Sequence, residues 1–364
     1  MLEQSFLLSL IGYIAVLLAA MQAQSILGGP QESESSKRPL ISLCYLLFFA
    51  GCVLTVLSIG TRSIEIGTDT YVYADEFKAA FHGQSVPGDH EPLFVTLVKA
   101  LSVTSSPIFL FTVIAAIFVV GFIVASRRMY SGLEVVILFY IWLSTPFFWA
   151  LSTNVLRQGV ALGFVLASFF ALCQDRRGLF LALGIIACGF HSSSIALLGV
   201  AFLCRNVDIK YLFAFWVVSM LLPLFTVPTQ LFEAIVPVAS KIGLGRYFEQ
   251  YLYSDPGEYE VGFKLRFVVF SVAPVLAYLY WKRSNLVDES TEWLVKTYVA
   301  MNSLACLSFH IPFNDRAFLL SWSLLPFVLY AAIPTEGMKR EIAIIAIAVP
   351  GFWFLYSNWF VPQA

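Results

Sequence analysis

The sequence predicts an all-α, polytopic integral membrane protein: a helix bundle of about ten full spans plus one hairpin of short helices, eleven or twelve membrane segments in all. Three observations lead there. Hydrophobic residues make up 59% of the chain and charged residues only 12%, whereas a soluble domain carries roughly a quarter charged residues. Apolar runs follow one another at the length of about 20 helical residues that crosses a hydrocarbon core. The runs are continuously apolar and lack the period-two alternation of a barrel strand, so helices are the spanning elements.

Taken in order, the runs place spans near residues 6–24, 40–59, 107–126, 133–151, 156–173, 211–228, 264–281, 294–310, 317–333 and 342–360. The first run follows Met1-Leu2-Glu3 without a basic lead-in or a cleavage site, so a retained span is expected rather than a signal peptide. Basic clusters sit in short connections: Lys37-Arg38, Arg127-Arg128, Arg176-Arg177, Arg205 with Lys210, Lys282-Arg283 and Lys339-Arg340. Short basic loops face the cytoplasm, and all six agree if both termini face outward.

That topology makes 179–204 leave the cytoplasmic side and return to it. Each limb, 179–190 and 192–204, has too few residues to cross alone. A hairpin of short helices is expected, turning through Gly189, Phe190 and His191 toward the outer side. Irregular backbone at membrane depth is tolerated only where protein or a water-filled cavity surrounds it. The whole chain, 1–364, then forms one transmembrane domain with two long outer loops, 61–106 and 229–263. In the first, Glu91-Pro92 reads as a helix start, and a short interfacial helix is expected near 92–104. The second is rich in tyrosine. The six cysteines show no paired or metal-type spacing and read as small apolar-environment residues.

With this topology all four histidines (His82, His90, His191, His310) lie outward. So do Arg62, Arg157, Arg246, Arg266 and Arg316, with acids including Asp69, Asp75, Glu76, Asp89, Glu91 and Asp315. Arginines on the outer side run against the positive-inside bias and call for a reason. Ordinary reasons exist for several. Lys264 and Arg266 suit snorkelling to headgroups, Arg62 suits a loop pair with Glu65, Asp75 and Glu76 suit a solvated surface, His82 and His90 suit a solvated loop, and His310 suits a satisfied helix end. Arg157, which with Gln158 follows Ser152-Thr153-Asn154, and His191, which opens Ser192-Ser193-Ser194, interrupt otherwise apolar sequence. Ionisable groups in such places are functional candidates.

Forked guanidinium donors suit a phosphate or pyrophosphate. Tyrosines suit sugar faces and the interface, and a histidine serves as a general base near neutral pH. No HExxH, phosphate-binding loop, GxSxG or cysteine–histidine metal spacing occurs, so no metal or other cofactor is expected. The net charge of −1 argues against a nucleic-acid partner. A lipid pyrophosphate at the outer face fits this set.

Four places carry a family resemblance: Arg62-x4-Gly67-x-Asp69-x3-Tyr73 followed by Glu91-Pro92-Leu93-Phe94; Arg157-Gln158-Gly159-Val160-Ala161; Phe190-His191-x-Ser193-Ser194-Ile195-Ala196-Leu197; and Arg316 at the start of a late span. In these the chain resembles the Wzy/EpsG class of bacterial polysaccharide polymerases. The resemblance implies an inner-membrane glycosyltransferase that joins repeat units carried on undecaprenyl pyrophosphate at the periplasmic face, by inversion. It implies pyrophosphate and sugar binding by Arg157 and Arg316, assisted by Arg62 or Arg246, with Glu91, Gln158 and Tyr73 contributing. His191 is the first candidate for the base and Asp69 its competitor. Membrane lipid, a flippase and a chain-length regulator are the implied partners. An O-antigen ligase shares this chemistry. A glycolipid transporter predicts ionisable groups near mid-membrane reachable from both sides, and an outer-facing acyltransferase needs a path for its acyl donor.

Overall fold

The computed structural model describes residues 34–86, 90–225, 261–282 and 288–331, with positions 230, 233, 234, 237 and 333. The expected spans at 6–24 and 342–360, Arg246 and most of the 229–263 loop lie outside the described residues. Among the described residues there is no strand. Three helices are long and apolar enough to cross a membrane: Ile41–Gly60, Pro107–Ser126 and Leu156–Cys173. A fourth crossing is available if a bent pair counts as one span.

The helices, numbered along the chain, are α1 (Glu34–Gly60), α2 (Thr70–Phe81), α3 (Pro92–Leu101), α4 (Pro107–Ser126), α5 (Leu133–Leu143), α6 (Pro146–Trp149), α7 (Leu156–Cys173), α8 (Arg177–Phe190), α9 (Ser194–Cys204), α10 (Ile209–Leu221), α11 (Leu265–Lys282), α12 (Glu289–Leu307), α13 (Asp315–Trp322) and α14 (Leu325–Ala331). They fall into two compact units, residues 1–195 with 333–364 and residues 196–332.

In the first unit α7 is central. It packs against α4 and α8, and 83% of its span is buried within the protein, against 33% for Ile41–Gly60 of α1. Gly121 of α4 faces Gly163 of α7, where a Cβ on Gly163 would fall 2.7 Å from the Gly121 Cα. Small residues let membrane helices approach this closely. Behind the crossing, Phe122 stacks on Trp142 at 3.9 Å, and Phe118, Phe139 and Phe148 close around the indole. On α1, by contrast, Leu46, Phe49, Val53 and Leu57 are exposed while Cys44 and Thr55 are buried. An apolar stripe turned outward is the inverse of a water-soluble helix, and lipid is the solvent that tolerates it.

The expected single span at 133–151 is broken. α5 ends at Leu143, and the chain bends by 83° before α6 and the wide π-type turn Ala150–Asn154. Pro146 opens the second piece, and a proline with no N–H and a fixed φ is what permits a new helix at that angle. The sequence signal was present in Thr145-Pro146, but the unbroken apolar run around it hid the bend. The expected span at 317–333 is likewise two helices, α13 and α14. Where the hairpin was expected there are two short helices, α8 and α9, with 191–193 between them. A short helix, α3, stands where the interfacial one was expected and ends at Leu101.

A helix not anticipated, α2, lies in the first long loop. Its buried residues Thr70, Tyr73, Ala74 and Phe77 follow the i, i+3, i+4, i+7 spacing of an amphipathic face. That face joins Phe94, Val98, Leu110, Phe111, Ile114, Leu156 and Val160 in one core. α2 and α3 are thereby seated on α4 and α7, beside the start of α7.

The second unit is organised on α12, packed by α10 and α13. Its centre is polar. Asn302 donates both amide protons, to Ser271 Oγ and Ser321 Oγ at 3.0 Å each, and accepts from Trp216 Nε1 at 2.8 Å and from the Cys306 thiol.

Candidate active site

Three pieces of irregular backbone frame the site in the first unit: residues 61–69 after α1, the turn Ala150–Asn154 before α7, and residues 191–193 after α8. Arg62 fastens the first to the second. Its guanidinium donates to the carbonyls of Ile59 (2.7 Å) and Thr153 (3.0 Å), reaches Thr70 Oγ1 (3.3 Å), and lies 4.5 Å over the Phe111 ring. Burial pulls its pKa down to about 10. The expected loop pair with Glu65 does not form; Glu65 is exposed and Arg62 is buried. Thr70 donates to the same Thr153 carbonyl at 2.9 Å. Gly67, at φ +91°, allows the approach, since a Cβ there would meet the Thr153 oxygen at 2.9 Å. Asn154 completes the seam, accepting from the Asp69 N–H (2.9 Å) and the Thr68 hydroxyl (2.8 Å). Asp69 therefore sits half-buried at the N-terminal end of α2, without a side-chain cap.

This seam sets the start of α7, and so Arg157. Arg157 Nη1 donates to Glu91 Oε2 at 2.6 Å, and the Tyr73 hydroxyl hydrogen-bonds the same guanidinium. The other oxygen, Glu91 Oε1, accepts from the Ser192 N–H (2.8 Å) and hydroxyl (2.9 Å) and lies 3.5 Å from His191 Nδ1. One carboxylate thus gathers an arginine, an imidazole and a serine from the beginnings of α3 and α7 and the end of α8. Burial by itself would raise the Glu91 pKa. The neighbouring His191 imidazole, the hydrogen bond from the Ser192 N–H and the Arg157 charge outweigh it and hold the carboxyl well below the usual range. The Nε of Arg157 is buried with no hydrogen-bond partner among the described residues.

Next along α2, Glu76 Oε1 and His90 Nε2 are 2.6 Å apart. This revises the expectation of a surface Glu76 and a solvated loop His90: Glu76 is 4% exposed, whereas Asp75 and His82 are exposed as expected. Gln158 is buried at the first turn of α7. His310 accepts the role of a satisfied helix end, 2.8 Å from the Pro223 carbonyl.

Of the candidates named from sequence, Tyr73, Glu91, Arg157 and His191 come together, with Asp69, Arg62 and Gln158 on the backbone that supports them. Arg316 belongs to the second unit. It is the second residue of α13, its guanidinium 5.3 Å over the Phe313 ring, and Phe313 holds a φ of +58°, a strained value for an aromatic residue. Lys264 and Arg266 both lie over the Phe267 ring. Among the described residues no three histidine, cysteine or carboxylate side chains gather as a metal would require.

Glu91, expected only as a contributing ligand, is the hub of the network. Glu91-Pro92 reads as a helix start whose carboxylate stands beside unpaired N–H groups; here the carboxylate turns to Ser192 and Arg157 instead, and caps nothing on its own helix.

The fold and network define a helical membrane protein with a charged site built on irregular backbone. Residues 45–363 match the EpsG family, and the chain belongs to that family. No curated protein and no solved structure matches it. Membership implies a membrane polysaccharide polymerase of glycosyltransferase type, with a lipid-linked glycan as its substrate.

Proposed function

We propose that the protein polymerises lipid-linked oligosaccharide repeat units at the periplasmic face of a bacterial inner membrane, with undecaprenyl pyrophosphate as the carrier. The observation that carries this assignment is Arg157: a guanidinium clamped by Glu91 and Tyr73 at a helix start, with a buried N–H still lacking an acceptor. A pyrophosphate oxygen is such an acceptor. In the reaction the acceptor hydroxyl oxygen attacks the anomeric carbon of the donor glycan. The carbon–oxygen bond to pyrophosphate breaks, the electron pair leaves on the pyrophosphate, and the configuration inverts. His191 takes the hydroxyl proton; Asp69, half-buried at the start of α2, is the competing base. Arg157 stabilises the charge that grows on the leaving group, with Arg316, Arg246 and Arg62 as further anion ligands. In this reading the chain makes about ten full spans in a single membrane domain, with both termini outward and the site at the periplasmic mouth; the basic short loops support that orientation.

The test is a null strain complemented with Arg157→Ala, His191→Ala or Arg316→Ala. Single-repeat glycans in place of long chains, with the protein made at normal levels, are expected. Full-length polymer from all three variants overturns the assignment.

A further inference from the structure

Beside the Arg157 network, Glu76 and His90 form a second carboxylate–imidazole pair that the reaction above does not use. Two rungs connect the same segments. Tyr73 of α2 bonds Arg157, which bonds Glu91; one turn further along α2, Glu76 bonds His90, the residue before Glu91. A helical turn rises about 5.4 Å and adjacent Cα atoms stand about 3.8 Å apart, so the second rung lies within one sugar ring's breadth of the first. The Glu76 side chain is 5% exposed and its Oε2 has no partner among the described residues. A buried carboxylate oxygen without a donor is costly. A bound group that donates hydrogen bonds removes that cost.

We propose that Glu76 and His90 are the subsite for the hydroxyls of the acceptor glycan. This rests on the polymerase assignment. The charge pattern separates the two ligands. The pyrophosphate of the donor is drawn to Arg157 and repelled by Glu76, whereas a neutral, hydroxyl-rich ring donates to Glu76 Oε2. The pair is held against the core, with the His90 ring 5.9 Å from Phe94 edge to face and Tyr73 5.6 Å from Phe94. His90 is the more open partner, its side chain 13% exposed.

Full-length protein in detergent is titrated with two probes. One is inorganic pyrophosphate. The other is the oligosaccharide released by mild acid from lipid-linked repeat units of the polymerase-null host. Glu76→Gln and His90→Gln should each weaken oligosaccharide binding by about ten-fold or more, the worth of one hydrogen bond to a charged group, and leave pyrophosphate binding unchanged. Arg157→Lys should do the reverse. Unaltered oligosaccharide binding in both variants, equal loss of both ligands, or no oligosaccharide binding by the wild type overturns the subsite. So does collapse of the monodisperse protein peak in both variants, which marks the pair as a structural clasp. Pyrophosphate binding that ignores Arg157 counts against the donor site alone and leaves the oligosaccharide titration to decide the subsite.

Discussion

Each unit of the molecule buries a polar network, and the two are built on opposite lines. In the second unit Asn302 has both donors and both lone pairs filled by Ser271, Ser321, Trp216 and Cys306. Ser271 also accepts from Trp322 Nε1, and its carbonyl accepts from the Tyr298 hydroxyl. Every one of these groups is neutral, and all sit on regular helices. In the first unit the network is ionic, assembled on three irregular segments, and leaves Arg157 Nε and Glu76 Oε2 unfilled among the described residues. A saturated neutral network holds helices together where lipid supplies no hydrophobic drive between them. A charged network with spare capacity is poor glue, and ionisable groups in such places are functional candidates.

That contrast can be broken by mutation. The largest effect is expected from Glu91→Ala, which removes the charge opposite Arg157 and the acceptor of both Ser192 bonds. Polymer synthesis per folded molecule should fall about 100-fold or more, the scale on which loss of one preorganised stabilising group acts. Radiolabelled polymer set against immunodetected protein gives the ratio, and a proportional fall of both would place Glu91 with the glue. Asn302→Leu should act the other way. It strands Trp216 Nε1 and two serines at roughly 0.6 kcal/mol per membrane hydrogen bond, so the melting temperature in detergent and the protein level fall while activity per folded molecule stays within about two-fold of wild type.

The smallest effect concerns pH. A carboxyl held below its ordinary range contributes stability that is fully present above the unfolded pKa of about 4.3 and is lost only as pH falls through the lower folded value. The stability difference between wild type and Glu91→Gln should therefore not narrow as pH falls from about 8 to 5, where the carboxyl stays ionised. A gap that closes toward pH 5 in thermal melts would show that the carboxyl is not held ionised by Arg157.

Much of the helical framework was legible because span length and hydropathy are direct consequences of bilayer thickness. The Leu156–Cys173 span, the short helices flanking His191 and the helix start at Glu91-Pro92 were found for that reason. Arg157 and His191 stood out because each interrupts apolar sequence. Less visible were features set by tertiary packing. The bend before Pro146 lies within an unbroken apolar run. The burial of Glu76 follows from α2, a helix whose apolar face is only Tyr73, Ala74 and Phe77 wide and was lost in a loop of mixed composition. Glu91-Pro92 marked a helix start but not a hub, because the partners of Glu91 stand 66 and 101 residues further along the chain.

Those separations bear on how the protein is made. Glu91 leaves the ribosome well ahead of Arg157, and Ser192 follows later still. Until the segment ending at Phe190 has been threaded and turned, the carboxylate and the guanidinium have no shared enclosure, and closing loops of this length costs entropy before any bond rewards it. The Glu91 network is therefore completed only once residue 192 has been made, 101 residues after the carboxylate at its centre. A nascent chain that ends before Ser192 lacks both donors that this residue supplies to Glu91 Oε1.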